Sequence, residues 1–234
     1  MSLVNYDGFS FTYNTIESHK MHAPTKATLK GRIWEKKLYD IYKTILTKDD
    51  VAIDVGGYIG SHALPLSHFS KTVYVFEPHV ELFECLSRNI ELNNVENIEA
   101  FNLALSNNHN TKTMSFRDDG TSRIYHQSYS KEKMLNFHHH HHVDDVECIA
   151  LDSLCDEMLN IKLLKIDVEG HEFKVLEGAK KVIENNRPHI LIEVFKTRKN
   201  DLEKWAEKFN YKIEFLKGED YHLIPNEGQN LQTL

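Results

Sequence analysis

The stretch VAIDVGGYIGSHAL, residues 51–64, passes from an apolar run through a glycine-rich turn into a helical pattern. Its first five residues are nearly all hydrophobic, which is typical of a parallel strand covered on both faces. Glycines let the backbone of the following turn approach a ligand closely, and ligands of open α/β sheets bind at the carboxyl ends of strands. The stretch therefore predicts the first strand of a parallel sheet, followed by a binding turn.

Other apolar runs repeat this character along the chain. Three of them predict further buried strands: TVYVF (72–76), IKLLKI (161–166) and HILIEVF (189–195). NIEAFNLAL (97–105) alternates more and predicts a strand nearer an edge, whereas YKIEF (211–215) and YHLIP (221–225) predict an antiparallel pair at the end of the sheet. Helical spacing of apolar residues fills the intervals, so the chain is expected to form one doubly wound α/β domain.

Two regions depart from this alternation. Residues 1–30 have little periodicity and are expected to form an N-terminal arm or lid, which leaves 31–234 as a single domain. Residues 106–145 are polar and interrupt the domain as an insertion of the kind that often carries a binding loop or lid. Inside or bordering it, TKTMSF (111–116) and VECIAL (146–151) predict extra strands.

The insertion contains two further features. RDDGTSRIY (117–125) is a candidate acceptor loop, in which Arg117 and Arg123 contact an anionic or hydroxyl-rich molecule, although solvated charges are the simpler interpretation. Five consecutive histidines, His138–His142, are the kind of tract that binds Zn²⁺ or Ni²⁺. Adjacent residues cannot all face one metal ion, so a solvated tract is favoured.

The bulk composition limits the class of protein. With 234 residues and 41% hydrophobic residues, the chain suits one well-packed domain. No stretch approaches the roughly 20 apolar residues of a membrane span, and the first residues do not resemble a secretory signal. Three cysteines without CxxC spacing indicate reduced thiols and a cytoplasmic protein, and a net charge of −7 argues against nucleic acid as a partner.

The glycine turn narrows the choice of ligand. The nicotinamide fingerprint G-x-G-x-x-G would need glycine at position 55, which is valine; Asp54 instead opens the pattern D-x-G-G-x-x-G. An acid there repels a pyrophosphate and attracts an ammonium group, while Glu77, after the next strand, is placed to accept hydrogen bonds from ribose hydroxyls. Ammonium and ribose without phosphates indicate S-adenosylmethionine rather than NAD. The alternative is that the glycines serve packing alone.

Several motifs, in this order, resemble the FkbM family of S-adenosylmethionine-dependent methyltransferases over roughly residues 30–195. They are VAIDVGGYIGSHAL (51–64), VYVFEP (73–78), LDSL (151–154), LLKIDVEGHEFKVLEGA (163–179) and RPHILIEV (187–194). The resemblance implies a class I, Rossmann-like fold with a seven-stranded, mostly parallel sheet. It also implies O-methylation of hydroxyls on sugars, polysaccharides or polyketides, and in some members fusion to a glycosyltransferase.

The resemblance also suggests cofactor-binding residues. Asp54, Gly56 and Glu77 match the family pattern, while Asn102 and Leu103 are candidates to border the adenine. The usual family turn resembles D-V-G-A-N-x-G, whereas this chain has glycine at 57 and Tyr58 in place of the asparagine. The substitution keeps the backbone turn, so Tyr58 is also a candidate cofactor-binding residue, with the contacts of its side chain left open.

The segment LLKIDVEGHE, residues 163–172, supplies the candidate catalytic groups. Asp167 and His171 follow the fourth strand, where this architecture presents the methyl group, and Glu193 ends the next strand on the same rim. In one mechanism His171, with a pKa near operating pH, or Asp167, if burial raises its pKa, is the general base. In the other, Asp167 and Glu193 ligate Mg²⁺ or another divalent cation. Glu172 is expected to stabilise a helix start.

The sequence therefore predicts a cytoplasmic S-adenosylmethionine-dependent O-methyltransferase. Its acceptor is expected to be a small molecule or glycan, most plausibly a sugar hydroxyl of a glycan or glycosylated metabolite. Neither nucleic acid nor membrane is an expected partner, whereas a glycosyltransferase or a larger parent polypeptide is. Two alternatives stay open: an NAD-dependent sugar oxidoreductase, and a non-catalytic cofactor-binding module paired with a glycosyltransferase.

Overall fold

The computed structural model describes residues 1–19, 22–116, 122–124, 142–154 and 159–226. The strands are β1 (Ser2–Asn5), β2 (Ser10–Tyr13), β3 (Val51–Val55), β4 (Thr72–Phe76), β5 (Ile98–Phe101), β6 (Ala104–Ser106), β7 (Asn110–Phe116), β8 (Ser122–Ile124), β9 (His142–Ala150), β10 (Ile161–Ile166), β11 (His189–Glu193), β12 (Tyr211–Lys217) and β13 (Asp220–Pro225). The helices are α1 (Ala23–Leu29), α2 (Lys36–Ile45), α3 (Ala63–Phe69), α4 (Val80–Leu92), α5 (Glu172–Gly178), α6 (Lys180–Asn186) and α7 (Lys199–Lys208).

Seven strands form the central sheet, in the spatial order β12-β13-β11-β10-β3-β4-β5. The strand β13 runs antiparallel to both of its neighbours, and the other neighbouring pairs are parallel. The expected fold class, a mostly parallel seven-stranded sheet with an antiparallel C-terminal pair, is confirmed. The strands predicted at 51–55, 72–76 and 161–166 have the bounds that the apolar runs indicated.

Helices cover both faces of this sheet because successive strand residues point in opposite directions. Ile53 packs with the apolar residues of α5, α6 and α7 on one face. Its neighbour Ala52 packs on the other face with those of α2, α3 and α4. Strands buried on both sides explain the almost continuous apolar runs from which the sheet was predicted. No helix in the described part of the chain has the length and apolar character that a membrane crossing requires.

The N-terminal residues pack against this body. The strands β1 and β2 pair as an antiparallel hairpin, and Val4 and Tyr13 lie buried in the same apolar cluster as α2 and α4. Asn93, directly after α4, accepts a hydrogen bond from the Thr12 backbone N–H and donates one to the Thr12 carbonyl. The short strands carry too few residues for their alternation to have been recognised in the sequence.

The insertion builds a second sheet of four strands in the order β6-β9-β7-β8. The extra strands predicted near 111–116 and 146–151 are confirmed as β7 and β9. The prediction of a single strand at 97–105 is wrong. The strand is interrupted at residues 102–103, and β6 pairs with β9 instead of continuing β5. Arg117 and His138–His141 lie outside the described residues; His142 begins β9, and Arg123 lies within β8.

Candidate active site

A cleft opens at the carboxyl ends of the parallel strands, with an empty volume of about 840 Å³ that includes its open mouth. Its floor is the turn after β3 and the segment after β10. The segment after β4 forms one side, residues 103–105 with Met114 form another, and His22, Pro24 and Trp34 bring the N-terminal region to its rim. The sequence analysis expected an arm or lid in residues 1–30 but named none of these three residues, because nothing local in them signals a ligand.

The glycine turn is fixed by close approach to β10. Gly56 has a φ of +88°, and a Cβ atom on it would lie 1.9 Å from the Asp167 carbonyl oxygen. The Asp167 N–H in turn donates to the Val55 carbonyl oxygen at 3.0 Å. At position 57 a Cβ atom would lie 2.3 Å from the Val75 side chain. Gly56 therefore brings the glycine turn into contact with the candidate catalytic segment, and Gly57 lets the same turn pack against β4.

Glu77 lies in the cleft wall, nearly buried, directly after β4. Its Oε2 accepts a hydrogen bond from the Tyr58 N–H at 2.8 Å and its Oε1 from the His79 N–H at 2.9 Å. Burial outweighs these two bonds and raises the pKa of Glu77 to about 7. Each oxygen keeps a second lone pair, so the carboxylate can still accept hydrogen bonds from a ligand diol.

Tyr58 joins the glycine turn to the N-terminal region. It occupies the left-handed conformation with φ +51°, which asparagine tolerates better than tyrosine. Its hydroxyl makes a 2.7 Å hydrogen bond with Thr25 Oγ1, and the His22 ring meets its ring edge to face at 4.7 Å between centroids. These contacts answer the question left open by the sequence and show how a strained residue is held in the cleft wall.

The two residues proposed to border the adenine are placed differently. Leu103 lines the cleft. Asn102 is exposed, and its side-chain amide donates to the carbonyl oxygens of Glu77 and Pro78 at 2.9 and 3.1 Å. Asn102 therefore ties the end of β5 to the segment that carries Glu77 and supports the cleft wall from behind.

Asp54 departs from the expectation that it meets an ammonium group of the cofactor. Its side chain is 1% exposed, and Oδ1 lies 3.2 Å from Nζ of Lys165, itself 2% exposed. The two residues face each other in register on the parallel strands β3 and β10. The ammonium group beside Asp54 is therefore the side chain of Lys165, not a group of the cofactor. Lys165 was not identified in the sequence analysis, although opposite charges in the next-to-last positions of two apolar runs were a usable signal.

Asp167 and Glu193 lie together at the ends of β10 and β11 and share a hydrogen bond. Burial alone would raise the pKa of Asp167, but the Lys165 ammonium at 3.7 Å and the bond with Glu193 outweigh it, so the pKa of Asp167 lies below its ordinary value. Burial and the Asp167 charge raise the pKa of Glu193 to about 10. The two pKa values shift in opposite directions, so the condition under which Asp167 was a candidate base, a pKa raised by burial, is not met.

His171 lines the cleft just before α5, but its pKa differs from the expected near-neutral value. Burial and the nearby charges of Lys112 and Lys174 lower the pKa of His171 to about 4. Its Nε2 atom lies 3.0 Å from Ser106 Oγ and 3.4 Å from Lys112 Nζ. Both partners come from the insertion sheet, which made this contact invisible to motif analysis. Glu172 accepts a hydrogen bond from the Gly170 N–H at 2.7 Å, in agreement with its predicted role at the helix start.

The acidic residues do not fit the proposed divalent cation. Nζ of Lys165 lies 3.7 Å from Asp167 Oδ2, so a divalent cation bound to Asp167 would lie beside a positive charge. Among the residues that the structure describes, no group of three or more His, Cys, Asp or Glu side chains is arranged to hold a metal ion.

The strand order, the single reversed strand and the cleft at the carboxyl ends define a class I methyltransferase fold. Residues 54–223 match the model of the methyltransferase FkbM domain, so the chain belongs to the FkbM methyltransferase family. It is 29% identical over 161 residues to "Methyltransferase 1" of Beauveria bassiana, a match covering 62% of this chain and 64% of that relative. The chain therefore spans less than two thirds of that relative's length.

Solved structures show the same fold. Methyltransferase FkbM from Methylobacillus flagellatus KT superposes with a TM-score of 0.54 at 14% identity, over 89% of this chain and 55% of that one. Precorrin-6y C5,15-methyltransferase from Geobacter metallireducens GS-15 gives 0.50 at 8% identity, over 90% and 91% of the two chains. At such identities the likeness concerns the fold alone.

Proposed function

We propose that this protein is an S-adenosylmethionine-dependent O-methyltransferase whose acceptor is a sugar hydroxyl of a glycan or glycosylated metabolite. The proposal rests on one observation: the glycine turn at Gly56 contacts the backbone of Asp167, and both residues line the same cleft. The lowered pKa of Asp167 keeps its carboxylate ionised there. Family membership supports methyl transfer over NAD-dependent oxidation.

The cleft suits the proposed cofactor. Glu77 offers two carboxylate oxygens to the ribose hydroxyls, Leu103 offers apolar surface beside them, and the backbone at Gly56 approaches closely. When bound, S-adenosylmethionine supplies an electrophilic methyl group on a sulfonium. Asp54, directly before the glycine turn, is already paired with Lys165, so an ammonium group of the cofactor would be bound by other groups at the rim of the cleft.

Asp167 is proposed to orient the acceptor. An ionised carboxylate accepts a hydrogen bond from the attacking hydroxyl and aligns its lone pair, and much of the acceleration of a displacement comes from such alignment. As the new O–C bond forms, the hydroxyl proton becomes strongly acidic, so a carboxylate whose pKa is low can still take it. Because the pKa of Glu193 is raised and that of Asp167 is lowered, we expect Glu193 to donate the hydrogen bond between them and to hold the Asp167 carboxylate in position.

Titration calorimetry with S-adenosylhomocysteine tests the cofactor. Micromolar binding is expected in the wild type, unchanged by EDTA and weakened about 10- to 100-fold in Glu77→Gln, because hydrogen bonds to a charged group contribute about 1.5–3 kcal/mol. Glu81→Gln, an exposed carboxylate on α4, is the matched control and should bind like the wild type. Absence of binding under all conditions would overturn the proposal and return attention to NAD.

Incubation with S-adenosylmethionine and a panel of free sugars and glycans, followed by mass spectrometry, tests the acceptor. Asp167→Asn is expected to slow transfer about 100-fold or more while changing S-adenosylhomocysteine affinity less than about threefold. If Asp167→Asn transferred methyl as fast as the wild type, the role of Asp167 would be refuted. If the wild type bound the cofactor product and methylated no acceptor, the non-catalytic module would be favoured.

A further inference from the structure

The environment of the His171 ring determines which of its nitrogen atoms carries the proton. A neutral imidazole has one N–H donor and one acceptor nitrogen, and the hydrogen bonds at one nitrogen set the state of the other. In the described part of the structure, the ring's hydrogen bonds with Ser106 and Lys112 both involve Nε2. The state of Nδ1 therefore follows from what these two partners donate.

Lys112 can only donate. Its Nζ atom lies 2.7 Å from Ser106 Oγ and 3.4 Å from His171 Nε2. A proton on Nε2 would point toward an ammonium group that offers no lone pair, whereas a bare Nε2 accepts from it. The serine hydroxyl, having accepted from Lys112, has one proton to donate. Its nearest acceptor is His171 Nε2 at 3.0 Å, ahead of Asn107 Oδ1 at 3.3 Å.

Ser106 is itself held in a fixed position. It is fully buried at the end of β6, and a Cβ atom added at Gly178 would lie 1.9 Å from its carbonyl oxygen. The glycine at the end of α5 thus lets that helix pack directly against β6, while His171 at the other end of the helix meets the Ser106 hydroxyl. Ser106 and His171 therefore have little freedom to separate.

We propose that Ser106 and Lys112 are positioning residues that hold His171 as the tautomer with a bare Nε2, so that the ring presents Nδ1–H as a hydrogen-bond donor to the ligand in the cleft. His171 is then a donor in the active site, in place of the general base that the motif suggested. The contact with a methyl acceptor rests on the proposed function, whereas the tautomer is a property of the protein alone.

Other charged groups near the ring agree with a neutral imidazole. Lys112, from β7, and Lys174, from α5, both disfavour a second proton on the ring. Glu177 of α5 would favour one, but it pairs with Lys174 at 2.7 Å. Cys148 of β9 lies near Lys112 and is itself buried, with its pKa raised by burial.

Two-bond ¹H–¹⁵N correlation spectra of protein labelled at histidine test the tautomer directly, with His171→Gln providing the assignment. The wild type should show the Nδ1–H pattern for His171, unchanged from about pH 5.5 to 8. In Ser106→Ala and in Lys112→Met, a larger fraction of His171 should show the Nε2–H pattern. In Lys112→Met the pH midpoint of the His171 titration should also rise by about one unit or more. Lys174→Met, which removes a lysine with no contact to Nε2, should keep the Nδ1–H pattern.

Methyl-transfer activity of His171 variants distinguishes a hydrogen-bond donor from a general base at this position. The amide nitrogen of asparagine reproduces the position of Nδ1–H but does not take up a proton near neutral pH, so His171→Asn should retain transfer within about tenfold of the wild type. His171→Ala should lose about 100-fold or more.

An Nε2–H pattern in the wild type, titration near the ordinary histidine value, or equal loss in His171→Asn and His171→Ala would each overturn the proposal. If no acceptor is methylated, the spectra still decide the tautomer, so the two proposals fail separately.

Discussion

Substituting Lys165 with methionine removes the buried ammonium between Asp54 and Asp167 while nearly preserving side-chain volume. Its Nζ atom lies 3.2 Å from Asp54 Oδ1, and at an effective dielectric constant of about 20 two unit charges at that separation attract by about 5 kcal/mol. Removing one partner of such a pair leaves the other charge buried, at a cost of about 3–5 kcal/mol. Since domains have about 5–15 kcal/mol of stability, the loss should be large.

Urea unfolding followed by circular dichroism measures this loss as a change in the free energy of unfolding. Lys165→Met should lower it by about 3–5 kcal/mol. The double variant Lys165→Met/Asp54→Asn should recover at least half of the loss because no unpaired charge remains on Asp54. As a control, Lys36→Met removes the exposed Lys36–Asp40 pair at 2.7 Å and should cost less than about 1 kcal/mol. A loss below about 1 kcal/mol in Lys165→Met, or no recovery in the double variant, would refute the reasoning.

Three further outcomes follow from groups around the cleft. With the pKa of Glu77 at about 7, S-adenosylhomocysteine should bind more tightly as the pH rises from about 6 to 8, and calorimetry of Glu77→Gln should show a flatter dependence. Burial and the Asp167 charge raise the pKa of Glu193 in the folded protein above its ordinary value of 4.5, so this group's contribution to stability falls as the pH rises above that value. Urea midpoints of Glu193→Gln should therefore decline less between about pH 7 and 9 than those of the wild type. Gly178→Ala forces a Cβ atom against the Ser106 carbonyl and should cost about 1–3 kcal/mol while disturbing the His171 spectrum; an unchanged spectrum would contradict the described packing.

The central sheet could be predicted because its strands are buried on both faces and therefore carry unbroken apolar runs. The tight glycine turn at Gly56 and the position of Glu77 in the cleft could be predicted because each directly follows a recognisable strand. The break at 102–103 could not be, since β6 leaves the sheet to pair with β9, more than 40 residues away in the sequence. The pattern of apolar residues within 97–105 carries no information on whether β6 pairs with β9 or extends β5.

The same limit applies to the chemistry of the site. The motif placed Asp167 and His171 correctly in the lining of the cleft, but their pKa values depend on Lys165, Lys112 and Glu193. Lys165 belonged to a run counted as apolar, and Lys112 belongs to the insertion. A histidine that looks like a base in sequence becomes a weak one when folding brings lysines beside it.

The position of β13 between β11 and β12 has a consequence for the order in which the chain can fold during synthesis. Among the strands that the structure describes, β12 pairs in the central sheet with β13 alone, so it cannot join before residues 220–225 have left the ribosome. Until then the backbone edge of β11 stays open, and the inward-facing Tyr221 and Leu223 are missing from the core. A nascent chain paused before residue 220 would therefore present β11 as a bare strand edge, the kind of surface that chaperones cover and neighbouring chains extend.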